Sequence, residues 1–521
     1  MRTHTVSRRD FVVMLSATGG GLMLGWRVGD RSRTVATAAA APSGFAPNAF
    51  IRIGREGRVT MIIGQVEMGQ GMYTAMPMLL AEELEVGLDQ VQLDHAPPDD
   101  KLYANPLVGF QMTGASTSVK ELYVPMRQAG AAARSMLVAA AAQIWNVGAS
   151  SCGAHRGVVT HTPTGRTLAY GALVDRAATL PVPTQVTLKD AKDFTLIGTP
   201  AKRLDTPAKV NGTAQFSIDV RLPGMKIATV AASPVLGGKL ADLDDSKATA
   251  IAGVRQIVRL DEVVAVVADH MWAAKQGLAA LVIRWDDGPN ATVSTADVVR
   301  ELEVASQQPG VVARKSGDAP AAVVGAASRI DAVYQVPFLA HTTLEPPNCT
   351  VHVRPDGCEV WTGSQVLSRA QATAAQVTGL PLEKVVVHNH LLGGGFGRRL
   401  EHDYVTQAVR IAKQVDGPVK VVWTREEDVR HDVYRPYYYD RLAAGLDARG
   451  QPIAWTHRLV GPSILARWAP PAFQNGLDGD ALDGAVHLVY DIPAIQVEYV
   501  RHEEPVVNTG FWRGEIGRAH V

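Results

Sequence analysis

Residues 393–399 (GGGFGRR) have the composition and spacing of a turn that could bind an anion. Residues 385–387 are β-branched and predict a buried strand, while residues 400–414 carry apolar side chains at helical spacing. A strand-to-helix turn exposes backbone N–H groups at the positive end of a helix, and glycine lets a ligand approach them closely. Taken alone, the motif fits an ordinary flexible loop equally well, because short glycine motifs recur by chance.

Residues 67–71 (EMGQG) repeat this design earlier in the chain. Residues 50–53 and 59–63 are predicted strands, and the loop precedes a predicted helix at 72–85 with apolar inward positions. The side-chain amide of Gln70 would then lie where a polar ligand could be hydrogen-bonded.

A third loop, residues 110–118, precedes a long alanine-rich helix that is predicted to end near Trp145. Ser118 and Glu121 have the spacing of a capping box, and the hydroxyls of Ser116 and Ser118 could donate to a phosphate. For this loop by itself, serines that only cap the helix are the favoured interpretation.

Residues 360–365 (VWTGSQ) are a predicted strand that ends in a polar turn. A neutral amide at a strand end, here Gln365, can point into a cleft. Without further information, a loop glutamine exposed to water is the better interpretation.

Composition excludes several classes of function. The 521 residues are 46% hydrophobic and 20% charged, which indicates a folded, core-forming protein of about three domains by the usual length rule. Lys+Arg and Asp+Glu are equal at 51 each, so charge gives no reason to expect nucleic acid as a partner. Neither a Walker A sequence nor a dinucleotide fingerprint is present around Gly393, which argues against a nucleotide-binding enzyme.

The cysteines are Cys152, Cys349 and Cys358, and no two of them form a CxxC motif. The sequence therefore encodes neither a zinc site nor an iron–sulfur cluster. A disulfide between Cys349 and Cys358 would need an oxidising compartment, and buried free thiols are the expected state.

The N-terminus predicts an export signal within residues 1–41. Residues 7–11 (SRRDF) have a twin-arginine pattern, followed by a mostly apolar run that is too short and glycine-rich for a comfortable membrane span. An uncleaved anchor and a chance arginine pair are the alternatives. Twin-arginine export carries folded proteins, which a cofactor inserted in the cytoplasm would require.

The rest of the chain divides into three parts and a connector. Residues 47–180 form a first domain, with a hairpin and helix at 158–180. Residues 201–287 form an α+β module with predicted strands at 215–220, 226–231, 263–267 and 281–285 and a helix at 271–280. Residues 290–327 are expected to be a polar connector around a short helix, and a last domain runs over 330–514.

Four segments, 67–71, 113–118, 361–365 and 393–399, match in this order the large molybdenum-binding subunits of the isoquinoline 1-oxidoreductase type. The chain thus resembles the xanthine oxidase and aldehyde oxidase superfamily from its twin-arginine signal to Gly514. The resemblance implies an α+β, multidomain fold, with an a/b hammerhead domain at 201–287 between two parts of the molybdopterin-binding region, 47–180 and 330–514.

The resemblance also implies a molybdopterin cytosine dinucleotide cofactor, with molybdenum held by the pterin and not by protein ligands. Gln365 would hydrogen-bond an oxo ligand of the metal, and Phe511 and Trp512 would line the substrate pocket. The cofactor-binding residues implied by motif position are Gly69, Gln70, Gly71, Gly114, Ala115, Ser116, Ser118, Gly394, Gly395, Phe396, Gly397 and Arg513.

The implied reaction is hydroxylation of an N-heteroaromatic or aldehyde substrate, with water as the oxygen source. Because the chain encodes no iron–sulfur cluster or FAD, the electrons must pass to a small [2Fe–2S] partner subunit, and a cytochrome c remains open as the further acceptor. The expected location is the periplasm or the periplasmic face of the membrane. The alternative function is a non-catalytic exported paralogue or a scaffold that binds a redox partner.

The sequence departs from the family pattern at its end. The glutamate that serves such enzymes as general base, in a Gly-x-Gly-Glu motif, is absent from this chain, and neither Glu67 nor Glu401 occupies its position. We expect Glu67 to be structural. Residues 515–521 resemble a translated sequencing adapter, so a truncated chain with an artificial tail, inactive as written, is the expectation.

Overall fold

The computed structural model describes residues 44–503 and 506–512. The predicted signal segment 1–41, the cofactor residue Arg513 and the predicted tail 515–521 lie outside the described residues. The strands before residue 224 are β1 (Gly44–Asn48), β2 (Ile51–Gly54), β3 (Val59–Ile63), β4 (Val91–His95), β5 (Cys152–His155), β6 (Val158–His161) and β7 (Arg166–Ala169).

The later strands are β8 (Lys226–Ala232), β9 (Lys239–Asp244), β10 (Val254–Arg259), β11 (Val263–Ala268), β12 (Val282–Asp286), β13 (Val311–Ser316), β14 (Ser328–Val336), β15 (Asn348–Arg354), β16 (Gly357–Thr362), β17 (Val385–Asn389), β18 (Val419–Val422), β19 (Tyr438–Leu446), β20 (Pro452–Gly461) and β21 (Ala494–Arg501).

The α-helices are α1 (Met72–Leu84), α2 (Asp100–Tyr103), α3 (Thr117–Trp145), α4 (Tyr170–Ala177), α5 (Thr206–Val210), α6 (Ser246–Thr249), α7 (Met271–Ala280), α8 (Thr295–Ala305), α9 (Ala319–Val324), α10 (Leu367–Thr378), α11 (Asp403–Ala412), α12 (Arg425–Arg430), α13 (Ile464–Trp468) and α14 (Gly479–Leu482). With helices and sheets both abundant, the α+β class predicted from the sequence is confirmed.

The first of two compact units contains the described residues up to Pro223 together with Asn348–Gly395 and His402–Lys413. Its four-stranded sheet has the order β1-β2-β3-β4, with β3 and β4 parallel. Helices α1 and α3 pack against each other through small and apolar residues, among them Met76, Leu80 and Ala133, all fully buried. At Gly130 a Cβ would lie 2.4 Å from the Leu80 carbonyl oxygen, so glycine permits the close helix–helix approach.

A second sheet segment of the first unit positions two of the predicted site loops. Strand β15 is antiparallel to β16, and β16 is parallel to β17, with α10 forming the crossover. In this register Thr362 lies opposite Asn389. Because parallel strands end at the same edge, the Gln365 turn and the glycine turn leave the sheet side by side.

The second unit contains Gly224–Pro347, Phe396–Glu401 and the described residues from Gln414 onward. Strands β10, β11, β8 and β18 pair in that order, and β11 is buried along its whole length, as its continuous apolar sequence predicts. Strands β9 and β12 form a separate antiparallel pair, and a five-stranded sheet has the order β13-β21-β20-β19-β14.

Several local predictions are wrong, each for a physical reason. Residues 215–220 form a 3-10 turn at Ser217–Asp219, because the Asp219 carboxylate accepts from the Phe216 N–H and closes a local turn instead of a strand. Residues 290–327 are not a simple connector, since they contribute β13 to the five-stranded sheet as well as two helices. The predicted module 201–287 is divided between the units after Pro223, and its domain boundaries stay a prediction.

Two helix starts also differ from expectation. Helix α3 begins at Thr117, with Ser116 as the N-cap residue without a side-chain capping bond, so Ser118 lies inside the first turn and the predicted capping box is wrong. Helix α11 begins at Asp403, and a 3-10 turn, Arg398–Leu400, separates it from the glycines.

The cysteine prediction is confirmed, since Cys349 and Cys358 are buried free thiols, and burial raises the pKa of Cys358 to about 11. In the described chain, none of the helices combines the length and hydropathy that crossing a membrane requires.

Candidate cofactor site

Gln365 is the central side chain of the candidate site in the first unit. It is only 4% exposed, so the interpretation as a loop glutamine in water is wrong. Its Nε2 donates to the carbonyl oxygen of Thr113 at 2.8 Å, and the Thr113 N–H donates back to the Gln365 carbonyl at 2.9 Å. The Thr113 carbonyl is an acceptor, so it fixes the NH2 group on its side and orients the carboxamide.

The glycine turn contacts this amide directly. A Cβ on Gly395 would lie 2.8 Å from Gln365 Oε1 and 2.4 Å from Met68 Sδ, which no side chain could tolerate without displacing them. Gly394 adopts a φ of +107°, a conformation that L side chains rarely reach. The sequence motif is therefore explained by close packing at one position and by backbone conformation at its neighbour.

The loop at 67–71 is built around the Glu67 carboxylate, whose side chain is fully buried. Its Oε1 accepts from the N–H groups of Gly69 (2.8 Å) and Gly71 (3.2 Å), and its Oε2 accepts from Tyr73 N–H at 3.1 Å. The Glu67 carboxylate, which belongs to the loop before α1, thus caps the N-terminus of that helix. This agrees with the structural role expected for it.

Gln70 stabilises the same loop. Its Oε1 accepts from Met68 N–H and its Nε2 donates to the Val66 carbonyl, both at 2.8 Å. Each end of its side-chain amide therefore already makes one hydrogen bond within the loop. The backbone N–H groups of Met68, Gly69 and Gly71 all donate to protein acceptors. The Gln70 N–H donates to none in the described chain.

The loop before α3 differs from the 67–71 loop in leaving several of its backbone N–H groups without protein acceptors among the described residues. Ala115 and Ser116 have φ values of +52° and +55°, both are exposed, and the Ser116 side chain makes no capping bond. The N–H groups of residues 114–116 find no acceptor in the described chain. Two successive non-glycine residues in the left-handed region are strained, and such strain concentrates at ligand sites.

Thr117 holds that strained turn in place. Its Oγ1 donates to the Gly114 carbonyl at 2.8 Å and accepts from Asn105 Nδ2 at 2.6 Å, and Asn105 is fully buried. Ser118 is also buried, at 7% exposure, whereas Ser116 is exposed. The open donors therefore lie at 114–116.

In the second unit, the other half of the glycine motif packs on the Phe511–Trp512 segment. A Cβ on Gly397, whose φ is +95°, would lie 2.9 Å from Phe511 Cβ. The Phe511 ring stands edge-on to Trp468 at 4.9 Å, and the Trp512 ring contacts Tyr438 at 5.8 Å. Phe396 also has a positive φ, +53°.

A buried polar network supports this segment, and no sequence motif predicts it. His341 Nε2 lies 2.9 Å from the Phe511 carbonyl oxygen, and its Nδ1 lies 3.1 Å from Asp432 Oδ2. The other Asp432 oxygen lies 2.6 Å from Arg398 Nε. All three side chains are at most 4% exposed. Their burial is what marks them as unusual, and burial becomes visible only in the folded structure.

Two buried side-chain oxygens in the first unit bear on whether the site suits a pterin. Within residues 44–503 and 506–512, Gln65 Oε1 and Asn389 Oδ1 are buried without a hydrogen-bond partner; Gln65 shortly precedes the 67–71 loop in sequence, and Asn389 shortly precedes the glycine turn. A pterin carries ring N–H and amino donors, and native proteins seldom leave buried acceptors unpaired. The open N–H groups at 114–116 suit an anionic group. The residues present fit the expected cofactor.

Comparisons with known proteins identify the class. Two molybdopterin cofactor-binding domain models match the chain, at residues 18–230 and 304–519. One relative, the beta subunit of isoquinoline 1-oxidoreductase from Brevundimonas diminuta, is 30% identical over 100% of this chain and 72% of its own length.

Two further relatives are more distant. One is a membrane-bound aldehyde dehydrogenase of Gluconacetobacter polyoxogenes, named for pyrroloquinoline quinone, at 29% identity over 96% of this chain and 66% of its own length. The other is a nicotinate dehydrogenase component of Pseudomonas putida, at 26% identity over 80% of this chain and 35% of its own. The solved structure of quinoline 2-oxidoreductase from Pseudomonas putida 86 aligns with a TM-score of 0.47 and 16% identity, over 61% of this chain and 46% of that chain.

The fold and the domain matches define a molybdopterin-binding protein. The chain belongs to the xanthine oxidase family of molybdenum hydroxylases, in the branch of the isoquinoline 1-oxidoreductase beta subunits. It spans 72% of the length of its Brevundimonas relative, and smaller shares of the others, so the activity of the whole protein is treated as a proposal below.

Proposed function

We propose that this protein is the molybdenum-cofactor subunit of an exported oxidoreductase that hydroxylates an N-heteroaromatic or aldehyde substrate, with water as the source of oxygen. The main support is the buried Gln365 amide, fixed by Thr113 and in contact with Gly395. An amide oriented this way is held at a defined position beside the glycine turn, where it can hydrogen-bond a ligand. The non-catalytic alternative is not favoured by the relatives, which are named as enzymes or enzyme subunits.

The cofactor supplies, when bound, the metal centre at which the substrate is oxidised. The chain's own residues hold and orient it. Gln365 would hydrogen-bond the metal's ligands, while Gln65 and Asn389 offer buried acceptors to pterin donors. The amides at 114–116 hold the anionic group, which we take to be the pyrophosphate of a cytosine dinucleotide, because three adjacent N–H donors suit an extended anion.

In the second unit, we assign Phe511 and Trp512 to the substrate pocket, because aromatic rings suit a planar substrate; the two rings are held by contacts with Trp468 and Tyr438. His341 fixes the Phe511 carbonyl, so the segment is positioned through its backbone as well as through its rings. The family models match molybdopterin binding, which favours that cofactor over the quinone named for one relative.

Electron transfer requires partners. Three cysteines without a CxxC cannot ligate an iron–sulfur cluster, and in the described residues no three His, Cys, Asp or Glu side chains form a metal site. We therefore propose that a small [2Fe–2S] subunit is the first acceptor and that a cytochrome c follows it. The twin-arginine pattern supports a periplasmic location.

The test is to purify the natural gene product with the subunits encoded beside it and to measure its molybdenum and its cytidine monophosphate after acid hydrolysis. We expect about one equivalent of each, and 18O from labelled water in the hydroxylated product. The Gln365→Ala variant should keep most of its molybdenum but lose at least roughly 100-fold in kcat/KM, the usual cost of one transition-state hydrogen bond. A metal-free protein with intact partners would refute the proposal.

A further inference from the structure

Arg203 lies far from the 67–71 loop in sequence but makes two hydrogen bonds to it. Its Nη1 donates to the Gly69 carbonyl at 2.8 Å, and its Nη2 donates to Glu67 Oε1 at 2.9 Å. Gly69 has a φ of +114° and Gly71 a φ of +92°, conformations that glycine adopts readily and other residues rarely do. One guanidinium therefore fixes both the carboxylate on which the loop is built and the loop's outer carbonyl.

Asp205 fixes the orientation of that guanidinium. Arg203 Nε donates to Asp205 Oδ1 at 2.9 Å and Nη2 donates to Oδ2 at 2.7 Å, a bidentate arrangement. Lys209 Nζ donates to the same Oδ2 at 2.6 Å. The hydrogen bond from Arg203, aided by Lys209 and opposed by burial, lowers the pKa of Asp205 to about 2, so the carboxylate is charged at neutral pH.

The same segment is tied to the start of α1, since the Leu204 N–H donates to Thr74 Oγ1 at 3.0 Å. The loop in turn contacts the glycine turn. The Leu392 N–H donates to the Glu67 carbonyl at 3.1 Å, and Met68 Sδ occupies the space beside Gly395. If Arg203 moved, the 67–71 loop would shift. The loop's contacts with Leu392 and Gly395 would then shift the groups around Gln365.

We propose that Arg203 and Asp205 form a positioning clamp that keeps the 67–71 loop in its cofactor-retaining conformation. The inference rests on the proposed function, since the cofactor is what the loop retains. Arg203 touches no reacting group, and it acts through Glu67 and Gly69. Its planar guanidinium donates to four oxygens of three groups at once, namely two of Asp205, one of Glu67 and the Gly69 carbonyl, in a geometry that a lysine ammonium cannot reproduce.

The experiment compares the natural complex carrying Arg203→Gln, Arg203→Lys or Asp205→Asn with the unaltered protein. Arg55→Gln is the matched control, because Arg55 makes a bidentate pair with Asp175 in the same unit, with both side chains largely exposed. Molybdenum content and the rate of pterin release are measured well below the unfolding temperature. Amide exchange of a peptide covering 67–71 is measured on cofactor-depleted protein.

Arg203→Gln is expected to release the pterin roughly 10- to 100-fold faster, the usual cost of losing a supporting contact behind a metal site. Amide exchange in the loop should accelerate in the cofactor-depleted protein as well. Asp205→Asn should shift both readouts in the same direction. Arg203→Lys should restore part of the retention, and Arg55→Gln should match the unaltered protein. A merely structural arginine would lower the unfolding temperature and leave the release rate unchanged.

The two proposals fail differently. If the unaltered complex contains no molybdenum and no pterin, the proposed function is wrong. If it contains both, and Arg203→Gln releases pterin at the same rate with unchanged loop exchange, the clamp is wrong and the function stands.

Discussion

The loops at 67–71 and 114–116 each bring small residues to the start of a long helix, α1 or α3, and they use their backbone N–H groups in opposite ways. In the first loop, the Glu67 carboxylate accepts from Gly69, Gly71 and Tyr73. In the second loop, the N–H groups of 114–116 face no protein acceptor in the described chain. One helix start carries its own anion, and the other is open to an external one.

This difference assigns different roles to two motifs of similar composition. The 67–71 loop reaches its positive-φ conformations through glycines, without strain, and is held by a buried charge. In the other loop, Ala115 and Ser116 are strained because non-glycine residues adopt positive φ there. Hydrogen bonds from Thr117 to the Gly114 carbonyl and from Asn105 to Thr117 hold this turn in place. A loop whose donors are satisfied internally is suited to rigidity, whereas a loop that leaves them open is suited to binding.

The largest expected effect is at Glu67. Glu67→Gln removes the buried negative charge at the start of α1 and sets an amide NH2 group against backbone N–H groups that now donate to the carboxylate. We expect a loss of about 1–3 kcal/mol in the free energy of unfolding, the usual cost of leaving a buried N–H group without its acceptor. Denaturant unfolding of the cofactor-free protein measures it. Glu56→Gln, at an exposed pair with Arg58, should change the value by less than about 1 kcal/mol. A small loss at Glu67 would contradict the internal-anion role.

A carboxylate placed in the open loop should imitate Glu67. Ser116→Asp would bring a negative charge to the open N–H groups and compete with the anionic group of the cofactor. Molybdenum content should fall at least roughly tenfold, while stability changes by less than about 1 kcal/mol. Ser150→Asp adds the same charge at an exposed position of the same unit and should have no effect on metal content. Equal content in both variants would show that 114–116 does not hold the anion.

The smallest effect concerns backbone strain. Ala115→Gly relieves a left-handed conformation that costs about 1–2 kcal/mol for an L residue, and it loses about 0.5–1 kcal/mol through chain entropy. The net expectation is a stabilisation of about 0.5–1 kcal/mol in thermal unfolding of the cofactor-free protein. Ala139→Gly, inside α3, should instead destabilise by about 1 kcal/mol. If both substitutions destabilise equally, residue 115 is not strained in solution.

Much of the local structure can be predicted from the sequence. Periodicity locates α1, α3, α7 and β17 to within a residue or two, because each carries a strong apolar pattern with a clear boundary. The boundaries that periodicity misses depend on single side chains. Asp219 turns 215–220 away from a strand, and the Gly114–Thr117 turn starts α3 before the expected cap.

The sequence predicts the motif residues of the candidate site but not the residues that support them. The motifs point to Gln365, the glycine turn and the two helix-opening loops, and the first unit does bring Gln365, Gly395 and Thr113 together. They do not point to Arg203 or to the His341–Asp432 pair, since no spacing rule links these residues to the groups they hold. That Gln70 binds the cofactor stays a prediction, and the motif alone does not show that each end of its side-chain amide already makes one hydrogen bond within the loop.

The sequence by itself determined the elements, the glycine positions and the family, because these depend on local residue types and on a motif order that few folds share. Only the tertiary structure decided which backbone donors remain open. That outcome depends on where a carboxylate such as Glu67 and a guanidinium 136 residues away come to lie, and hydrogen-bond saturation is a property of the folded neighbourhood, not of the motif.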